Sequence, residues 1–358
     1  MTDILVIGGG IAGVSVAARL SKDANVTVLE AEPALGYHAS GRSAAVHEPS
    51  YGAPSVQALS HSSLEYLTEH DDGYLSPRGL LLVATAQQEK AFRADLSDMG
   101  LDEISAQDAL NFVPTLNPQT LRFAGFHAKA QDIDADRLLQ GFARETRKNG
   151  AQIKINQRVS AIHLENTRWH VTTQDASYSA DLLINAAGAW ADGIATMAGL
   201  PPIGITPYRR SIARVPAPQG HDVGRWPLMF GVNESWYAKP DAGFLLVSPA
   251  DQDPTEPHDA WAEDITLAQG IARYEEMVTN TVTRLQSSWA GLRSFAPDRT
   301  LVLGPDPENA AFIWCAGQGG YGIQTSPAAS KFVADLVTDR PPELASDIAC
   351  QLTPDRLR

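Results

Sequence analysis

Two cysteines in 358 residues, Cys315 and Cys350, leave no material for a disulfide framework or for a metal site built on cysteine spacing. A reducing cytoplasm is the simpler home for such a chain. No apolar run approaches membrane-spanning length, and the opening residues carry neither a basic n-region nor a twin arginine. Neither an integral membrane segment nor an export signal is therefore expected. Basic charge is also short: 28 Lys and Arg against 42 Asp and Glu give a net charge of -14. That balance argues against nucleic acid and anionic lipid as partners. Repeats and low-complexity tracts are missing as well. What remains is a chain long enough for a large core, in two or three domains or as one large α/β enzyme.

The densest signal is at the start. Ile4-Leu5-Val6-Ile7 runs into Gly8-Gly9-Gly10-Ile11-Ala12-Gly13, and Val26-Thr27-Val28-Leu29 ends on Glu30. Strand, glycine turn, helix and second strand make a βαβ unit suited to an ADP moiety. Gly8 permits the tight turn, Gly10 lets backbone approach a pyrophosphate, and Gly13 lets helix pack on strand. The helix N-terminus, at Ile11 and Ala12, then faces the phosphates. Glu30 is placed to accept hydrogen bonds from ribose hydroxyls and would repel a 2′-phosphate.

Further along, small residues gather wherever backbone must come close to a ligand. Gly36-Tyr37-His38-Ala39-Ser40-Gly41-Arg42-Ser43-Ala44-Ala45 interrupts the alternation of strand and helix. Residues 55 to 70 have helical spacing, residues 79 to 84 read as a buried strand, and a helix is expected from Asp134 through Lys148. Three strand-like runs between 151 and 173 lead to Leu182-Leu183-Ile184-Asn185-Ala186-Ala187-Gly188-Ala189-Trp190, an apolar strand breaking into small residues. Residues 205 to 250 look antiparallel, with a hairpin turn at Asp241-Ala242-Gly243. A polar helix near 265 to 283 precedes Trp289 to Phe295. A last glycine loop, Gly317 to Ser326, leads to a final helix after Pro327. Ligand-approach glycines thus lie at the N-terminus, in the middle and near the C-terminus. One contiguous nicotinamide domain does not need that spread, whereas an extended FAD buried along its length does.

The opening motif, Gly-Arg-Ser-Ala-Ala at 41 to 45, Asn-Ala-Ala-Gly-Ala-Trp at 185 to 190 and the last glycine loop together resemble the D-amino-acid oxidase family of flavoenzymes, over nearly the whole chain. Within it, Gly-Tyr-His-x-x-Gly-Arg-Ser-Ala-Ala at 36 to 45, Arg-Arg-Ser at 209 to 211, Trp-Ala-Gly-Leu-Arg-Ser-Phe at 289 to 295 and Gln-Gly-Gly-Tyr-Gly-Ile-Gln-Thr-Ser at 318 to 326 are most similar to the bacterial D-arginine dehydrogenase branch. The resemblance implies a two-domain α/β flavoenzyme. A Rossmann-like FAD-binding domain would comprise residues 1–75, 132–204 and 296–358, and a discontinuous antiparallel-sheet substrate domain residues 76–131 and 205–295. It implies noncovalent FAD on Gly8, Gly10, Ile11, Ala12, Gly13 and Glu30, with Ser40, Gly41, Arg42, Ser43, Ala44 and Ala45 near the isoalloxazine and Val159 by the adenine. Ala187, Gly188, Trp190, Gly320, Tyr321, Gly322, Ile323 and Gln324 would complete the cofactor site. Some relatives tether flavin through a cysteine after the substrate domain; residues 289 to 300 hold none, and Cys315 reads as core.

For the substrate, the resemblance implies a carboxylate held by Arg210 and Arg293 and positioned by Tyr51 and Tyr237, because a guanidinium fork suits a carboxylate. Arg209, its strand neighbour, should point the opposite way. Gly320 and Gln324 would close the pocket. The branch's side-chain acid is replaced by Leu80, its active-site histidine by Val46, and a threonine by Glu48. His47, next to Val46, reads as an exposed loop histidine in preference to a displaced substitute for that histidine. Glu48 reads equally as a solvated loop residue or as a new acid in the pocket. Two substrates stay open: a cationic D-amino acid held by Glu48, or an apolar or aromatic one packed on Leu80, Leu228 and Phe230. The expected activity is oxidative deamination of a D-amino acid, with the electron acceptor (oxygen, quinone or other) undefined. The rivals are oxidation of a secondary amine or N-substituted amino acid and a flavin-carrying subunit without amino-acid chemistry.

Overall fold

The computed structural model describes residues 1–358. Its first sheet has six strands in the order Val302–Pro305, Phe312–Ala316, Leu182–Asn185, Asp3–Ile7, Asn25–Leu29, Gln152–Lys154, all parallel except at the 302–305 edge. Parallel strands must be covered on both faces, and alternation along Asp3–Ile7 shows how. Ile4 and Val6 pack under the helices Ile11–Leu20 and Gly322–Val337. Leu5 and Ile7 pack toward Trp169 and Val171 of a three-stranded antiparallel sheet. Its third strand is Ser177–Ala180, where Tyr178 and Ala180 alternate with exposed serines.

The second sheet has nine strands, drawn from residues 80–127 and 206–295. It is mixed rather than purely antiparallel: Leu228–Gly231 runs parallel to Leu80–Ala84. The two come from different chain segments, so no hairpin dictates their direction. One face carries Leu81, Val83, Ala213, Val215, Met229, Ala238, Leu245 and Val247, packed on the helices Ala106–Phe112 and Asp264–Met277. The other face is free to look at the first sheet. A small sheet of Val46–His47, Gln131–Ile133 and Leu75–Pro77 lies where the chain passes between the two bodies. We propose to keep the five-segment domain division, with its junctions near 75 and 131 in this small sheet.

The last long helix begins at Gly322 and contains Pro327, instead of following it. Proline cannot donate to the Ile323 carbonyl, but the Ser326 hydroxyl does so instead, at 2.9 Å. No helix is long and apolar enough to cross a membrane.

Candidate active site

One cleft runs between the two sheets, lined from three distant parts of the chain. Gly8, Gly10, Ile11, Ala12 and Glu30 line one end, Ser40, Arg42, Ser43, Ala44, Val159, Ala187, Gly188 and Trp190 the walls, and Gly320, Gly322 and Ile323 the far side. Gly13, Gly41, Ala45, Tyr321 and Gln324 lie behind this lining. At Gly8 the backbone is left-handed, with φ of +112°, and a Cβ would fall on the Ala186 carbonyl oxygen. At Gly13 a Cβ would fall on the Gly8 carbonyl oxygen, so these two glycines let turn, helix and strand touch. Glu30 is buried, and its two oxygens accept the Gly9 amide at 2.6 Å and the Glu32 amide at 2.8 Å. Each oxygen keeps a lone pair for a ribose hydroxyl. The Ser40 hydroxyl accepts the first helix amide, Ile11, at 3.0 Å. Arg42 lines the cleft, but its guanidinium is spent on protein: the Asp259 carboxylate and the carbonyls of Tyr37, Ala260 and Ala290. It therefore staples the 39–42 turn to segments 259–260 and 290. Backbone cradle, buried acid and extended cleft fit an FAD.

The anion clamp stands at the far end of this cleft, on the inner face of the second sheet. Residues directly opposite in a sheet share a face. Arg210 is opposite Gly291, Arg293 opposite Tyr208, Phe230 opposite Tyr237, and Leu80 opposite both Leu228 and His127. Alternation puts Tyr208 and Arg210 on that inner face. Arg209 accordingly turns to the other side and is paired with Asp251, Asp253 and Glu263. Arg210 is 5% exposed; its Nε donates to the Asp251 carbonyl at 2.9 Å, while its Nη2 is buried without a partner. Burial, then the like charge of Arg293, pulls its pKa down. Tyr51 lies between Arg293 and Glu234, donating to Glu234 Oε2 at 3.2 Å. Burial pushes its hydroxyl well above the ordinary phenol range, so it stays protonated. Tyr237 reaches the same charges and lines the cleft. Gly320 passes so near Arg293 that a Cβ there would sit 3.1 Å from Nη1.

The side-chain wall corrects two expectations. Leu80 and Phe230 share one apolar cluster with partly buried Val46, Leu228 and Tyr237. His47 is not an exposed loop residue: it is 1% exposed, its Nε2 against the Ser60 carbonyl at 3.1 Å. Glu48 is not solvated either. It is 7% exposed, its Oε1 accepts the Ser50 amide at 3.1 Å, and its Oε2 is buried 3.1 Å from His127 Nε2 without an aligned hydrogen bond. The Lys129 amide donates to His127 Nδ1 at 3.2 Å. Gln324 is likewise taken up by protein, accepting the Glu48 amide at 2.8 Å. Cys315 is 2% exposed in the core under the first sheet, and burial raises its thiol to about 12. Sequence reasoning passed over Glu234 and His127. Each meets its partner from a distant part of the chain, Glu234 at Tyr51 and His127 at Glu48, and neither stands in a local motif.

An extended cleft with a buried acid at one end and two arginines near the other fits a flavin-dependent oxidoreductase. The family model for DAO, FAD dependent oxidoreductase, matches residues 3–336, and the chain belongs to that family. It is 25% identical over 374 residues to glycine oxidase of Geobacillus kaustophilus (strain HTA426), spanning 97% of this chain and 95% of that protein. It is 24% identical over 402 residues to the FAD-dependent oxidoreductase domain-containing protein 1 of Bos taurus, spanning 94% and 81%. The crystal structure of L-proline dehydrogenase from P. horikoshii matches with a TM-score of 0.84 at 22% identity, over 99% of this chain and 97% of that one.

Proposed function

We propose that the protein oxidises a D-amino acid with an apolar or aromatic side chain to its imino acid, which water then converts to the 2-oxo acid and ammonia. The observation that carries this reading is the buried, partnerless Nη2 of Arg210 facing Arg293 beside the cofactor cleft. A buried cation without a partner is costly, and a substrate carboxylate would supply the missing acceptor. Bound FAD would supply the chemistry, accepting the Cα hydrogen with its electron pair as hydride. Arg210 and Arg293 would hold the carboxylate, and Tyr51 and Tyr237 would position it: the Tyr237 hydroxyl by donating to it, and Tyr51, whose own proton goes to Glu234, by orienting Arg293. No side chain is assigned as an essential base: the substrate enters with its amine neutral, and the imine nitrogen sheds its remaining charge to water. Leu80, Leu228 and Phe230, which belong to one apolar cluster, favour an apolar side chain. A cytoplasmic location is proposed from the unpaired Cys315 and Cys350.

A second reading, oxidation of a secondary amine or small N-substituted amino acid, is favoured by the likeness to a glycine oxidase and to an L-proline dehydrogenase. Anaerobic mixing of the yellow protein with D- and L-amino acids, glycine, sarcosine and L-proline separates the two. Bleaching of the flavin by bulky D-isomers supports the first reading. Bleaching by sarcosine, glycine or L-proline alone overturns it in favour of the second.

A further inference from the structure

Glu234 has no part in the roles above, yet the fold takes trouble to place it. It sits on the short turn Val232–Glu234, where Asn233 and Glu234 both adopt left-handed backbone, with φ of 54° and 49°. Two successive non-glycine residues in that region are strained, and such strain persists only where surrounding contacts impose it. Those contacts are present. Asp95 of the helix Glu89–Asp98 accepts the Asn233 amide at 2.6 Å, and Arg273 of the helix Asp264–Met277 donates to the Ser235 carbonyl. The turn is thereby pinned from both sides, and the Glu234 carboxylate is delivered to the Tyr51 hydroxyl at 3.2 Å. Its charge is felt at Tyr51, Arg210, Arg293 and Tyr321.

We propose that Glu234 is a charge filter for the substrate site, an inference that rests on the carboxylate-clamp reading above. Two guanidiniums and one carboxylate leave the clamp with a net charge of one positive unit (2 − 1 = 1). That matches one substrate carboxylate and no more. A substrate with a second anionic group meets Glu234 at close range in a part-buried site, where like charges repel more strongly than in open water. Neutral and cationic side chains are admitted. Selectivity here comes from a repulsive element built into the site rather than from an added attraction.

The test uses the FAD-loaded protein and the variant Glu234→Gln, whose amide oxygen still accepts from Tyr51. Propionate and succinate, similar in size but with one and two carboxylates, are titrated while flavin absorbance and the thermal midpoint are followed. D-glutamine and D-glutamate are compared by kcat/KM. Wild type is expected to favour propionate over succinate by about tenfold or more, and the variant to close that gap and raise the D-glutamate to D-glutamine ratio about tenfold. If the variant loses all ligands alike and both ratios stay put, Glu234 only holds the turn and the filter is overturned. If propionate fails to bind wild type by either readout, the clamp reading falls and takes the filter with it.

Discussion

Replacing Arg210 by methionine separates what this residue does for chemistry from what it does for the fold. Its Nε is engaged with the Asp251 carbonyl, and its Nη2 is buried and idle in the free protein. One or two charge-assisted hydrogen bonds to a substrate carboxylate, at about 1.5 to 3 kcal/mol each, would be lost. By transition-state arithmetic kcat/KM should fall by roughly 10- to 10⁴-fold, with the deeper end reached if both bonds form. Stability should not follow. The unliganded guanidinium is desolvated and repelled by Arg293, and methionine fills similar volume without either cost. The thermal midpoint of the ligand-free variant should therefore equal or exceed that of wild type. Anaerobic flavin reduction across an amino-acid panel gives the first quantity and calorimetry the second. A loss below about threefold in kcat/KM, or a large fall in thermal midpoint with activity per folded molecule intact, would refute the assignment.

Glu48→Gln should reduce kcat/KM for cationic and apolar substrates by the same factor, because Glu48 is buried with its Oε1 on the Ser50 amide and is not among the residues that line the cleft; a selective loss of about 2 kcal/mol for D-arginine or D-lysine would instead show that it pairs with substrate. Gly8→Ala places a Cβ on the Ala186 carbonyl at a left-handed φ, so the purified variant should lose most of its flavin, read as the ratio of visible to ultraviolet absorbance. Burial holds the His47 imidazole below its ordinary value. The unfolded chain then takes up a proton near pH 6.5 that the folded chain refuses, so stability should be full above about pH 6.5 and fall as pH drops from there to the folded pKa. Thermal midpoints between pH 5 and 7 should decline less steeply in His47→Gln, and parallel curves would contradict this. Because the Cys315 thiol is raised to about 12, it is unreactive near neutral pH, and acid precipitation should release all flavin into solution.

The nucleotide half was legible because its logic is local. A strand, three spaced glycines and an acid at the end of the next strand all lie within thirty residues, and each has a backbone reason to be there. The clamp was partly legible for a related reason: strand alternation makes Arg209 and Arg210 opposites, and their partners confirm the geometry. The misread positions are those whose fate depends on distant chain. His47 and Glu48 look like loop residues until residues 127 and 324 arrive beside them. The start of the last helix was placed after Pro327 because local rules forbid proline inside a helix. A hydroxyl one residue earlier lifts that prohibition.

Glu234 shows most clearly why a charge inventory fails in one dimension. It meets Tyr51 across 183 residues of chain, and its turn carries neither glycine nor proline to announce left-handed backbone. Only the pinning of that turn by Asp95 and Arg273 makes the conformation tolerable. The same inner face of the second sheet that presents Arg210, Tyr237, Leu80 and Phe230 therefore ends on a residue whose position is set by two helices, Glu89–Asp98 packed on that face beside Leu82 and Phe230, and Asp264–Met277 packed on the opposite face. Changes in substrate charge preference can thus arise from Asp95 or Arg273, neither of which is placed to touch substrate. Asp95→Ala, which removes the acceptor for the Asn233 amide, should loosen the turn and shift the D-glutamate to D-glutamine ratio in the same direction as Glu234→Gln, by a smaller factor. A ratio that moves with Glu234→Gln but not at all with Asp95→Ala would show that the carboxylate finds Tyr51 without the strain that holds it there.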